Sequence, residues 1–219
     1  MTRSALTEVA LSTAARELAG RDKDLAAILE RYGPPPLWAR KPGFATLVHI
    51  ILEQQVSLAS AASIFARVKK NTVPFNPTRV IELGEDHLKS LGLTRQKTAY
   101  CLHLSQSLAE KRLKLAQLRQ LNDEEARAAL MSVKGIGSWS ADIYLLMALL
   151  RPDVWPANDL ALAIAVQQLK QHPHRPNQEH LFTMAETWRP YRSVAARMLW
   201  QFYLARREES RAKRGATRV

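Results

Sequence analysis

Apolar residues recur along this chain at intervals of three and four rather than two. Phe44, Leu47, Val48 and Ile51 stand at i, i+3, i+4 and i+7, one stripe of a helix that follows the breaker PPPLWARKPG. The stripe runs on through Ile64, Phe65 and Val68. Thr94, two residues after Gly92, is placed to cap a helix carrying Ala99, Leu104 and Leu108. Asn122 or Asp123, followed by Glu124 and Glu125, marks another helix start, with acids near the positive end of the dipole. Ser140 to Leu150 is apolar almost all round, as a helix in the middle of a bundle should be. Asp159 to Leu169 and Ser193 to Leu204 follow, the latter turning Val194, Met198, Leu199 and Phe202 inward. No segment alternates apolar and polar residues between turn signals, and no fixed period repeats. The Pro-rich stretches at 34–36 and 173–176 read as loops. The pattern predicts an all-α helical bundle.

Composition narrows the class. With 219 residues and 47% hydrophobic, the chain can bury a core in one domain or in two closely packed halves. Its longest apolar run, Ile143 to Leu150, falls far short of the ~20 residues that span a bilayer. Glu8 and Arg16 interrupt the N-terminal apolar residues, so no secretory signal is expected. The lone Cys101 excludes an internal disulfide, a four-cysteine zinc site and a four-cysteine iron–sulfur cluster. A cytoplasmic protein is expected, nucleoid-associated in a bacterial cell. His49, His87, His103, His172, His174 and His180 form no recognisable ligand set.

Charge points toward a polyanion. Thirty-two Lys and Arg against 20 Asp and Glu give +12, and the pI is near 10.2. Nucleic acid would be attracted, with a strong salt dependence from counterion release. A basic protein without such a partner fits the charge equally well. Part of the excess sits in RREESRAKRGATRV, residues 206–219, which has no apolar periodicity and reads as a flexible basic tail.

The most informative string is LMSVKGIGSWSAD, Leu130 to Asp142. A helix ending at Val133, a G-x-G turn and a helix starting near Ser138 form a helical hairpin. Glycines let its backbone approach another surface closely. Its turn amides, the positive end of the second helix and Lys134 make an anion site suited to phosphate. G-x-G alone fits an ordinary close turn as well.

This string resembles the helix-hairpin-helix of a large DNA glycosylase superfamily, in which a Gly/Pro loop and a catalytic aspartate follow the hairpin. The second part is matched by VWPANDLALAI, Val154 to Ile164. IILEQQVSLASAASIFARV (Ile50 to Val68) and WRPYRSVAARMLW (Trp188 to Trp200) resemble the alkylated-base branch, the DNA-3-methyladenine glycosylase II type. Four ordered matches are more specific than any one of them.

The resemblance implies one glycosylase domain over residues 1–205, a hairpin at about 124–150 and an active-site cleft between two halves. It maps Asp159 to the catalytic aspartate. A carboxylate there would stabilise the oxocarbenium character that develops at C1′ as an N-glycosidic bond breaks, and would orient or deprotonate water. Asp159 also stands where a helix N-cap would, and the two roles are compatible. Asp142, inside the hairpin's second helix, is the lesser candidate and reads rather as a structural acid. Where the bifunctional branches, similar to endonuclease III and 8-oxoguanine glycosylase, carry a lysine nucleophile, this chain has Trp139, which implies hydrolysis without strand cleavage. Trp139 and Trp200 match pocket aromatics, and an indole face attracts a cationic alkylated purine. Core packing is the alternative for each.

Lys134, Gly135, Ile136, Gly137 and Ser138 are implied to bind DNA. Gln55 takes the wedge position that fills the gap left by a flipped base, although Gln54 and Gln55 could instead cross-link helices. Arg189, Arg192 and Ser193 are implied to hold phosphates, with a solvated basic loop as the alternative for the two arginines. No cofactor is required. The backbone carbonyls of Met131, Val133 and Ile136 are implied to hold a monovalent Na or K ion, and no iron–sulfur cluster is expected. The expected partner is double-stranded DNA with damaged bases, met by a monomer and without a membrane. The chain departs from the pattern in having Lys134 where proline is common, no terminal cysteines and only ~40 residues before the matched region. Another lesion class, or a hairpin module that binds DNA without catalysis, are the alternative readings.

Overall fold

The computed structural model describes residues 5–216. Among them there are eleven α-helices, one short 3₁₀ turn at Leu115–Arg119 and no strand. Two compact units are built from them.

The first unit spans Ala39–Leu149. It holds α3 (Phe44–Glu53), α4 (Leu58–Asn71), α5 (Pro77–Ser90), α6 (Arg95–Ala109), α7 (Asp123–Met131) and α8 (Ser138–Met147). α3 is its core element and packs against α4, α6 and α8. Leu47, Val48, Ile50, Ile51 and Leu52 are all buried, more than one stripe can account for. The buried Glu53 at its end takes both terminal nitrogens of Arg40 at 2.8 Å, so its buried charge is paired. Lys97 of α6 donates to the Leu52 carbonyl at 2.6 Å and so covers an open C-terminal carbonyl of α3. Thr94 caps α6 as expected, accepting from the Lys97 amide. The apolar spacing that continues from Ile51 to Ile64 in the sequence is broken at Gln54–Ser57, where Ser57 caps the start of α4.

The second unit is formed by residues 5–38 and 150–216 among those described. It holds α1 (Glu8–Arg21), α2 (Lys23–Tyr32), α9 (Leu160–Leu169), α10 (Gln178–Glu186) and α11 (Arg192–Ala216). α11 is the axis, touching α1, α2, α9 and α10. Val194, Met198 and Leu199 are buried along it, and the half-buried Phe202 meets the Tyr32 ring edge-on at 6.4 Å. Arg197 is 0% exposed within this apolar stretch. Burial pushes its pKa down, to about 9, still above neutral, so the guanidinium enters the core as a hydrogen-bonded cation.

The flexible tail expected from residue 206 is corrected here. α11 continues without a break through Ala216, and residues 217–219 lie outside the described ones. Arg, Glu, Lys and Ala are good helix formers, and extending a helix nucleated by a buried segment costs little. Glu209 adds ion pairs to Arg31 at 2.6 Å and Arg206 at 3.1 Å. No described helix is long and apolar enough to cross a membrane.

Candidate functional site

In the first unit, the hairpin forms between α7 and α8. Asn122 and Glu125 make a reciprocal capping box at the start of α7. The chain then turns through Ser132–Gly137. The Val133 amide donates to the Leu130 carbonyl at 3.2 Å, and the Ile136 amide to the Val133 carbonyl at 3.0 Å. Gly135 has φ +98, and a Cβ there would stand 2.2 Å from Cγ of Tyr100. This glycine is demanded twice, by its backbone and by a ring packed against it. Gly137 differs: at φ −89 any residue is allowed, and a Cβ would meet open space. It is the N-cap of α8 and offers no side chain to the helix's first amides.

The exposed Lys134 and Gly137 and the half-buried Gly135, Ser138 and Trp139 line this turn. The Ile136 side chain is buried, so only its backbone can meet a ligand. Gln54 ties α3 to the hairpin, donating through Nε2 to the Gly135 carbonyl and to Ser140 Oγ, both at 2.9 Å. Of the two glutamines it is the cross-link. Gln55 is exposed in the left-handed region at φ 57, with Val56 and the 61% exposed Leu58 beside it. Asp142 is buried and bonded to Arg127 Nε at 2.6 Å, the structural acid expected. Cys101 is buried, which pushes its thiol up to about 12 and leaves no thiolate for chemistry at neutral pH.

In the second unit, Asp159 is the N-cap of α9. Its Oδ1 accepts from the Leu162 amide at 2.9 Å and from Trp200 Nε1 at 3.2 Å. Two donors on one oxygen hold a half-buried carboxylate in a set direction. Asn158, just before it, is exposed and left-handed at φ 64. Trp200 is 8% exposed, and its ring meets that of Trp38 edge-on at 6.4 Å.

The phosphate roles implied for Ser193 and Arg192 are corrected by their surroundings. Ser193 is fully buried; its hydroxyl donates to the Val154 carbonyl and accepts the Val154 amide, at 3.0 and 2.9 Å. It cannot reach a phosphate. Arg192 Nε donates to Asp153 Oδ1 at 3.0 Å, its Nη2 to the Asp153 carbonyl, and its Nη1 to Glu186 at 2.8 Å. These bonds stitch α11 to the loop that leads to Asp159. Arg189 is about half exposed yet paired with Asp153 and Glu186. Its hydrogen bond is the main reason the Glu186 carboxyl is held below the usual carboxylate range.

Residues 48–190 match the HhH-GPD superfamily of base excision DNA repair proteins. The chain belongs to this superfamily. The HhH-GPD match takes in Gln55, the hairpin and Asp159 but ends before Arg192, Ser193 and Trp200. Among its relatives, a putative DNA-3-methyladenine glycosylase of Bacillus subtilis is 28% identical over 185 residues, 81% of this chain and 64% of the relative. DNA-3-methyladenine glycosylase 1 of Schizosaccharomyces pombe is 27% identical over 202 residues, 87% of either protein. The chain therefore spans just under two thirds of the first relative and most of the second. A solved structure of a Schizosaccharomyces pombe 3-methyladenine DNA glycosylase in complex with abasic DNA has the same fold. Its TM-score is 0.75 at 23% identity, over 86% of this chain and 95% of that one.

Trp38, Arg197 and the Tyr100–Gly135 contact carried no signal in the sequence. Trp38 stands in a proline-flanked stretch without period, and the other two depend on neighbours remote in sequence.

Proposed function

We propose that this HhH-GPD protein is a monofunctional DNA glycosylase that hydrolyses the N-glycosidic bond of flipped-out alkylated purines and leaves an abasic site. The observation that carries the reading is Asp159, a carboxylate fixed by the Leu162 amide and the Trp200 indole N–H. As the bond to the base stretches, positive charge grows on the sugar. A carboxylate already oriented stabilises that charge without reorganising. Water is the nucleophile, polarised or deprotonated by the same group. Trp139 in place of a lysine supplies no amine to trap C1′, so no strand cleavage is expected. Its indole face suits a cationic base, whose charge already activates it as a leaving group. The names of the relatives support alkylated purines as the substrate class.

Duplex DNA is held through the hairpin. Gly137 leaves space at the start of α8, so a phosphate oxygen can approach its first amides, with Lys134 and Ser138 adjacent. Gln55 enters the stack on its exposed left-handed turn, with Val56 and Leu58 as an apolar margin. Hard carbonyl donors at Met131, Val133 and Ile136 suit a monovalent cation. The Val133 carbonyl already accepts the Ile136 amide and has a second lone pair for the ion. The protein is proposed to act as a monomer.

The deciding experiment incubates the protein with methylated duplex DNA and scores free base and intact strand. Release of 3-methyladenine or 7-methylguanine without nicking is expected. Tight binding with no release would mark a DNA-binding module instead. Lys134→Glu is expected to weaken binding to every duplex alike and to lower the slope of log K against log salt by about 1 to 2. Titrations at several salt concentrations measure this, and a loss confined to one lesion would remove Lys134 from the phosphate contact.

A further inference from the structure

Gly33–Trp38 forms a strap that α11 grips at two points one helical turn apart. Gln201 Nε2 donates to the Tyr32 carbonyl at 3.0 Å, just before the strap, and Arg197 Nε donates to the Leu37 carbonyl at 2.9 Å. Arg197 is 0% exposed and also donates to the Ser193 carbonyl at 3.0 Å, so it is locked from both sides. Pro35 is buried within the strap. At its end Trp38 is left-handed at φ 46, an uncommon state for a bulky residue that persists only where its surroundings impose it. The anchored backbone delivers the Trp38 ring to Trp200, the side chain that bonds Asp159.

The two indoles differ in what they can offer. Trp200 is 8% exposed, its N–H is committed to Asp159, and little of its ring is open to a ligand. Trp38 is only half-buried. We infer that Trp38 is a base-contacting residue, its indole meeting a purine that carries a fixed positive charge, while Trp200 acts behind it by orienting Asp159. Arg197 is the positioning residue for this contact. The assignment rests on the proposed base release and gives its specificity a physical source: an aromatic surface next to a carboxylate favours a cationic base over a neutral one.

The test compares the wild type with Trp38→Phe and Trp38→Leu on duplex DNA containing 7-methylguanine. Single-turnover release is read alongside affinity for the same duplex with an abasic site, which has no base for Trp38 to touch. Leu is expected to slow release ~3- to 30-fold and Phe by less, with abasic-site affinity unchanged in both. Release by the Leu variant at the wild-type rate overturns the inference. So does a parallel fall in release and abasic-site affinity, or a Phe variant as slow as the Leu variant at equal melting temperature. If the Leu variant fails to fold, the Phe variant decides alone: slower release with unchanged abasic-site affinity supports the contact, and an unchanged rate overturns it. Wild-type protein that releases no base overturns the glycosylase reading and this assignment together, whereas wild-type release indifferent to Trp38 overturns the assignment alone.

Discussion

Asp159→Asn slows base release by about two to four orders of magnitude while leaving the fold and DNA binding intact. The substitution separates the two jobs of one side chain. Asparagine is as good an N-cap as aspartate, and its carbonyl oxygen can still accept from the Leu162 amide and the Trp200 indole. Helix start and local geometry are therefore retained, and only the negative charge is lost. Single-turnover excision from methylated DNA measures the rate, and a salt-matched titration measures binding. Binding should stay constant or tighten slightly, because one negative charge is removed from the surface proposed to face phosphates. A variant that excises at the wild-type rate would leave this carboxylate with its capping role alone.

Gly135→Ala destabilises the protein by about 2–5 kcal/mol. Two costs add. A left-handed backbone at φ +98 costs a residue with a Cβ about 1–2 kcal/mol, and overpacking against a ring typically costs about 1–3 kcal/mol. At 2.2 Å from Tyr100 Cγ the new methyl cannot stay unless the ring moves. For a chain of this size the melting temperature should fall by roughly 4–20 °C. Adding Tyr100→Ala removes the steric part and leaves the backbone part, so the double variant should be more stable than the two single losses predict. Thermal unfolding of the four proteins of the cycle gives the coupling directly. A Gly135→Ala protein that melts within a degree of wild type would show that the ring is not held there.

How far the sequence revealed all this depended on how local the cause was. The caps at Thr94, Asn122 and Asp159 were legible because a cap is a few adjacent residues with a defined hydrogen bond. The break at Gln54–Ser57 was hidden, since apolar residues on either side continue the same spacing across it. The length of α11 was hidden for the opposite reason: its outer turns have no apolar face, and their helicity is inherited from the buried turns before them. At the site, Asp159 and the hairpin were visible as motifs. That Ser193 would be fully buried against Val154, or Arg192 engaged by Asp153, was not, because each partner lies about forty residues away and only folding brings them together. Trp38 needed the structure most, having no periodic or motif context of its own.

The second unit takes its helices from both ends of the chain, with Ala39–Leu149 set between them like a domain insertion. During synthesis, α1 and α2 leave the ribosome long before α11, against which they pack. The middle segment, contiguous in sequence, can fold while they wait. Nascent chains stalled after Leu149 should therefore protect the hairpin from protease while α1 and α2 are still cut, and protection of the first two helices should come only once α11 has emerged.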